Sequence, residues 1–226
     1  MEIPPSIPAS SPESPWLLLD ASGLSTRAAL WQNSRWLAFR ADPAPALTAL
    51  FTATRAVLAD AALALPEVGG FLYVEGPGSV LGLRLAALAI RTWQTEKPRP
   101  VQACGALHLA AALILTTTPA PFAICTGTRQ GFWHLLEVPH PDLANLAVRT
   151  IPDDELARVA VPLYHIPARK TWHPAPAHAR PLSADLQDRP QIFSHPGLLR
   201  AVAMAIPFTG AHPEYRKWEN PAQTPA

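Results

Sequence analysis

The chain has 226 residues, of which 49% are hydrophobic and 15% charged, a composition that excludes a disordered protein and a length that holds one large domain or two small ones. Its 18 Lys+Arg stand against 17 Asp+Glu, a formal charge of +1. Strong, unaided binding of DNA or RNA is therefore not expected, because that function normally carries a clear basic excess.

Residues 1–15 are rich in Pro and Ser, lack the basic and apolar regions of a signal peptide, and are expected to be disordered. Order is expected from Trp16. The short apolar run 16–20 reads as a buried strand that ends in Asp20, followed by a turn over 21–25. Strands over 28–31 and 36–40, joined at Asn33-Ser34, complete an antiparallel meander. A helix follows over 45–62, where Leu47, Leu50, Phe51, Thr54, Val57, Leu58 and Ala61 recur at spacings of three and four. Pro45 suits its first turn.

The strand 71–74 is cut by Gly76-Pro77-Gly78, and Ser79 is placed to cap a helix over 80–95. The glycines allow backbone angles that other residues resist, and Pro77 fixes one dihedral between them. A connector at 97–100 leads to a parallel-type strand, 101–103, and a third helix, 106–115. Beyond a Pro break at 119–121, strands are expected over 122–125, 131–138, 147–151 and 161–166, with a short helix over 153–159. Residues 165–190 read as a Pro- and His-rich loop, 197–206 as a last helix, and 208–226 as a loosely held tail.

The turn Gly76 to Ser79 does not match a phosphate loop. No Gly-Lys-Ser/Thr follows it, and the third glycine stands at 82 rather than 81. Pro77 removes a further N–H donor, so the turn is read as structural, with no cofactor site. Cys104 and Cys125 lack metal or redox spacing and read as buried free thiols. The eight histidines, His173 and His178 included, form no metal motif. Asp20 is expected to anchor its own turn through local hydrogen bonds, and Asp153-Asp154-Glu155 to start a helix. No Gly-x-Ser-x-Gly occurs. No apolar run is long enough to cross a bilayer, so a soluble, cytoplasmic protein is expected. Among the seven tryptophans, Trp16, Trp31, Trp36 and Trp93 are expected in the core, while Trp172 and Trp218 are candidates for a partner surface.

A strand, then Gly76-Pro77-Gly78-Ser79, two residues, and Gly82-Leu83-Arg84 resembles the signature segment of the TsaB (YeaZ) family, the inactive paralogues of the TsaD family. Leu17-Leu18-Leu19-Asp20-Ala21-Ser22 resembles the family's opening strand, and Ala28 to Trp31 the strand that follows it. Arg129-Gln130-Gly131 resembles a hairpin of its second domain, and Pro213-Glu214-Tyr215-Arg216 its closing segment. The likeness runs well over 16–112, thinly over 122–133, and hardly elsewhere. The chain departs from the family pattern at Val80-Leu81, at Gly127-Thr128 and at Asp42-Pro43-Ala44-Pro45.

The resemblance implies an α/β fold of two actin-like (ASKHA) subdomains with mixed sheets, 16–104 and a smaller, divergent 105–207. It also implies a non-catalytic scaffold in synthesis of the tRNA modification N6-threonylcarbamoyladenosine. Such a protein pairs with a TsaD-type catalytic subunit through helices of the N-terminal subdomain, and a TsaE-type ATPase joins them. Gly82, Ala86 and Ala89 make a small-residue strip, and Arg84 and Arg91 share a face of one helix. The strip packs either on the chain's own first helix or, as the resemblance implies, in a partner-binding face with Leu50, Thr54 and Arg84. The alternatives are an ATP-dependent small-molecule kinase of the same superfold, and a diverged homodimer without the tRNA role.

Overall fold

β1 (Trp16–Asp20) is buried on both faces, which is why its sequence is a continuous apolar run rather than an alternating one. Trp16 and Leu18 join one core cluster, and Leu17 and Leu19 another. β2 (Thr26–Gln32) and β3 (Arg35–Asp42) complete the expected antiparallel meander. Asn33 and Ser34 take φ of 48° and 58° at the hairpin between them, the two-residue turn whose twist matches that of its strands. The computed structural model describes residues 14–129, 131–167, 174–182 and 185–209. The expectations for residues 1–13, Gln130, Trp172, His173, Trp218 and the segment around Tyr215 lie outside the described residues.

α1 (Ala46–Asp60) crosses to β4 (Gly70–Gly76), which pairs in parallel with β1. α2 (Val80–Glu96) crosses to β5 (Val101–Gly105), parallel to β4, and α3 (Ala106–Leu115) leaves it. The second sheet is built from β6 (Phe122–Gly127), β7 (Phe132–Val138), β8 (Arg149–Pro152), β9 (Leu163–His165) and β10 (Arg180–Pro181), in the order β10-β9-β6-β7-β8. α4 (Asp153–Leu156) is a single turn, shorter than the expected 153–159.

The expected helix over 197–206 is not formed. β11 (Arg200–Val202) lies there and pairs antiparallel with β5, giving the first sheet the order β11-β5-β4-β1-β2-β3. Leu198, Leu199, Ala201 and Val202 suit either element. Pro196 and Pro207 bracket a stretch of about ten residues, marginal as a helix, while β5 offers a free backbone edge. The chain thus returns to the first sheet after building the second.

Three buried regions result. α1 and α2 cover one face of the first sheet, with Leu50, Ala53, Val57, Ala86, Ala89 and Ile90 packed on Leu17, Leu19, Phe71 and Tyr73. α3 fills the space between the sheets, against Leu18, Leu72, Val74, Phe122, Ile124 and Leu136. Trp133, Ile151, Leu156 and Leu163 close the far face of the second sheet. Burying a Leu or Phe side chain of this kind contributes about 1.5–3 kcal/mol. The Pro-rich stretch that the sequence offers as plain loop, together with the residues just after it, also supplies core. Leu186, Ile192 and Phe193 are buried, and Trp31 and Trp36 donate their indole N–H groups to the carbonyls of Pro190 and Leu186 at 2.8 and 3.0 Å.

One buried charge is poorly compensated. Arg99 is 7% exposed, and among the described residues its guanidinium makes one hydrogen bond, a long one of 3.3 Å to the Leu65 carbonyl. Its guanidinium lies 5.4 Å over the Phe71 ring, while Nε and Nη2 have no partner. Removing a buried, unpaired cation in favour of an apolar chain of similar length is expected to stabilise. An Arg99→Met variant should therefore unfold at higher urea, with a gain of about 1 kcal/mol; a lower midpoint would show that the ring contact outweighs desolvation.

Candidate functional site

The turn that ends β4 is fitted to the turn that ends β1. Gly76 takes φ +114°, where an L side chain is strained, and Gly76–Pro77 is a cis peptide. A Cβ on Gly78 would stand 2.3 Å from the Ser22 carbonyl oxygen, and Ser79 N–H donates to that same oxygen at 2.9 Å. The Ser79 hydroxyl accepts from Gly82 N–H and caps α2. Gly82 is equally committed, because a Cβ there would lie 2.2 Å from the Ala21 carbonyl oxygen. These glycines let two backbones touch.

Asp20 anchors its own turn, as its sequence context predicts. One carboxylate oxygen accepts from the Ser22 N–H at 3.0 Å and the Ser22 hydroxyl at 2.6 Å; the other pairs with Arg27 at 2.8 Å. The side chain is buried and its acceptors are engaged. Asp153 accepts from the Trp133 indole at 2.6 Å, Glu155 pairs with Arg149 and Asp154 with Arg158. All three acids at the start of α4 are therefore structurally employed.

Two cavities lie beside these turns. A cleft of about 410 Å³ runs between the two sheets' ends, lined by Ser22, Gly78, Ser79, Leu107, Thr126 and Thr128. Among the described residues its lining offers hydroxyls and backbone but no ionisable side chain. A second, of about 420 Å³, is bordered by Glu75, Cys104, His108, Arg200 and Phe208. There Arg200 pairs with Glu75, and one His108 ring nitrogen meets the Leu146 carbonyl at 2.9 Å. Cys104 and His108 stand four apart, but burial pushes the Cys104 thiol far up, with Asp20 and Glu75 adding to it, so the nucleophilic thiolate is suppressed. Cys125 is likewise pushed up to about 12 by burial. Both cysteines are free and buried. Among the described residues no group of three or more His, Cys, Asp or Glu side chains is disposed to hold a metal. No helix of the described residues is long and apolar enough to cross a membrane.

The face assigned from sequence to a partner needs correcting residue by residue. Leu50, Thr54, Gly82, Ala86 and Ala89 are all buried inside the subdomain. Leu50, Ala86 and Ala89 pack on the first sheet, Thr54 donates its hydroxyl to the Leu50 carbonyl, and Gly82 abuts Ala21. Of that set only Arg84 is exposed. The outward positions carry other apolar side chains: Leu47 (63% exposed) and Phe51 (44%) on α1, Leu81 (60%) and Leu88 (59%) on α2.

Leu47 and Phe51 fell into the expected core stripe of α1 because they too sit at helical spacing. The stripe that is buried is Ala49, Leu50, Ala53, Thr54 and Val57. What could have separated them is width. The apolar positions of α1 and α2 spread over more of the helix circumference than one sheet face can cover.

No protein-family model and no curated protein matches the sequence. Among solved structures, a Pseudomonas aeruginosa protein described as similar to peptidase YEAZ aligns with 68% of this chain and 75% of its own, at 24% identity and a TM-score of 0.54. YeaZ from Pseudomonas aeruginosa aligns over the same shares at 23% identity and a TM-score of 0.55. The mixed sheets and the crossover helices thus belong to a known architecture: the chain has the α/β fold seen in YeaZ.

Proposed function

We propose that this chain is a non-catalytic, TsaB-like partner protein, which docks a TsaD-type catalytic subunit on the outer face of α1 and α2 in synthesis of the threonylcarbamoyl modification of tRNA. The observation that carries this reading is the set of four large apolar side chains, Leu47, Phe51, Leu81 and Leu88, left in water on two neighbouring helices. Scattered exposed leucines are ordinary, whereas a group on one layer marks an interaction surface. The YeaZ-like fold and the Gly76 to Arg84 segment supply the family context.

The interior chemistry is consistent with a protein that performs no reaction itself. Its strand-end acid is engaged with Arg27 and Ser22, and burial keeps its thiols protonated. A TsaE-type ATPase would join the pair, and the ATP-handling would lie with those partners.

Co-expression with the TsaD-type protein of the same organism is the direct test. A one-to-one complex should survive gel filtration, and Leu88→Asp, at an exposed position that leaves stability unchanged, should weaken it about tenfold or more. Absence of a complex with the parent chain, or full binding by Leu88→Asp, would overturn the reading.

A further inference from the structure

The docking face is charged in one sense only. On α2 the exposed stripe reads Leu81, Arg84, Leu88, Arg91, at spacings of three, four and three; on α1 it reads Leu47, Phe51, Arg55, at spacings of four. Between its ends neither helix has a carboxylate. The acids they possess are their last residues, Asp60, already paired with Arg40, and Glu96. Among the described residues Arg55, Arg84 and Arg91 enter no ion pair, although the protein pairs Arg27, Arg40, Arg149, Arg158 and Arg200 elsewhere.

Resting on the docking role given above, we infer that the occupant of this face is an acidic surface of a different protein, with carboxylates opposite Arg55, Arg84 and Arg91, and not a second copy of this chain. A two-fold dimer brings the same patch of both subunits together. Six guanidiniums would then gather around an apolar centre, with no carboxylate of either helix between its ends to meet them, and like charges brought face to face oppose association. A partner that carries acids around an apolar centre removes that repulsion. It also gains long-range steering, which salt screens within about 10 Å at 0.1 M.

The test uses the full chain and the TsaD-type protein of the same organism. The parent's affinity should fall steeply between low and high salt. An Arg84→Glu/Arg91→Glu double variant should bind about thirtyfold more weakly at low salt and lose that salt dependence. Alone, the parent should sediment as a monomer at low salt. If Leu88→Asp abolishes binding while the double variant binds like the parent, the face is used but the charge assignment is wrong. A parent homodimer that Leu88→Asp dissolves would also overturn the assignment. If Leu88→Asp binds normally, the docking role itself fails.

Discussion

A Gly82→Leu variant is expected to lose about 3 kcal/mol of stability, and to lose it through the subdomain's interior rather than through a partner. The Cβ alone would sit 2.2 Å from the Ala21 carbonyl oxygen, a distance no real Cβ contact shows, and the obstructing atom is backbone. Relief requires α2 to lift from the β1–β2 turn, which would loosen the packing of Leu83, Ala86 and Ile90 as well. Urea unfolding should show the loss as a lower midpoint with an unchanged slope. Gly82→Ala should already cost a good part of it. A Gly82→Leu chain as stable as the parent would mean that the contact between the turns is soft. A large residue at this position reports on packing, so it is unsuited to mapping the proposed docking face.

Asp20→Ala should cost a similar amount, about 3 kcal/mol, because it leaves Arg27 without its counter-ion and two Ser22 donors without an acceptor. Asp20→Asn keeps one acceptor for Ser22 and should lose less. The pair of variants separates the charge from the turn. If both cost under about 0.5 kcal/mol, Asp20 is not structural, and its position at a strand end would call for another explanation.

The first half of the fold was legible because its signals agreed with one another. A continuous apolar run gave β1, the Asn33-Ser34 pair gave the hairpin, and Gly-Pro-Gly-Ser gave the junction of β4 and α2. Local chemistry was enough at Asp20 for the same reason: its partners lie two and seven residues away. What failed depended on distant residues. β11 exists because β5 has an edge to offer, a hundred residues earlier. Leu186, Ile192 and Phe193 are core because α3 and Trp36 need a cover, and nothing in the Pro-rich stretch or just after it announces that. The residues expected at a partner-binding face were misassigned by a subtler fault. Small residues four apart signal close approach without saying by what, and here the approaching groups belong to the same chain.

The return of residues 200–202 to the first sheet has a consequence for how this molecule can be divided. A fragment that stopped after α3 would contain a nearly whole subdomain, yet the outer flank of β5 would be stripped of its neighbour. Bare strand flanks recruit strands from other molecules, and α3 would also lose its cover from the second sheet, so such a piece is set to clump. The far end of the polypeptide serves as a seam for the near end, and the two halves of the protein are stitched together rather than merely joined.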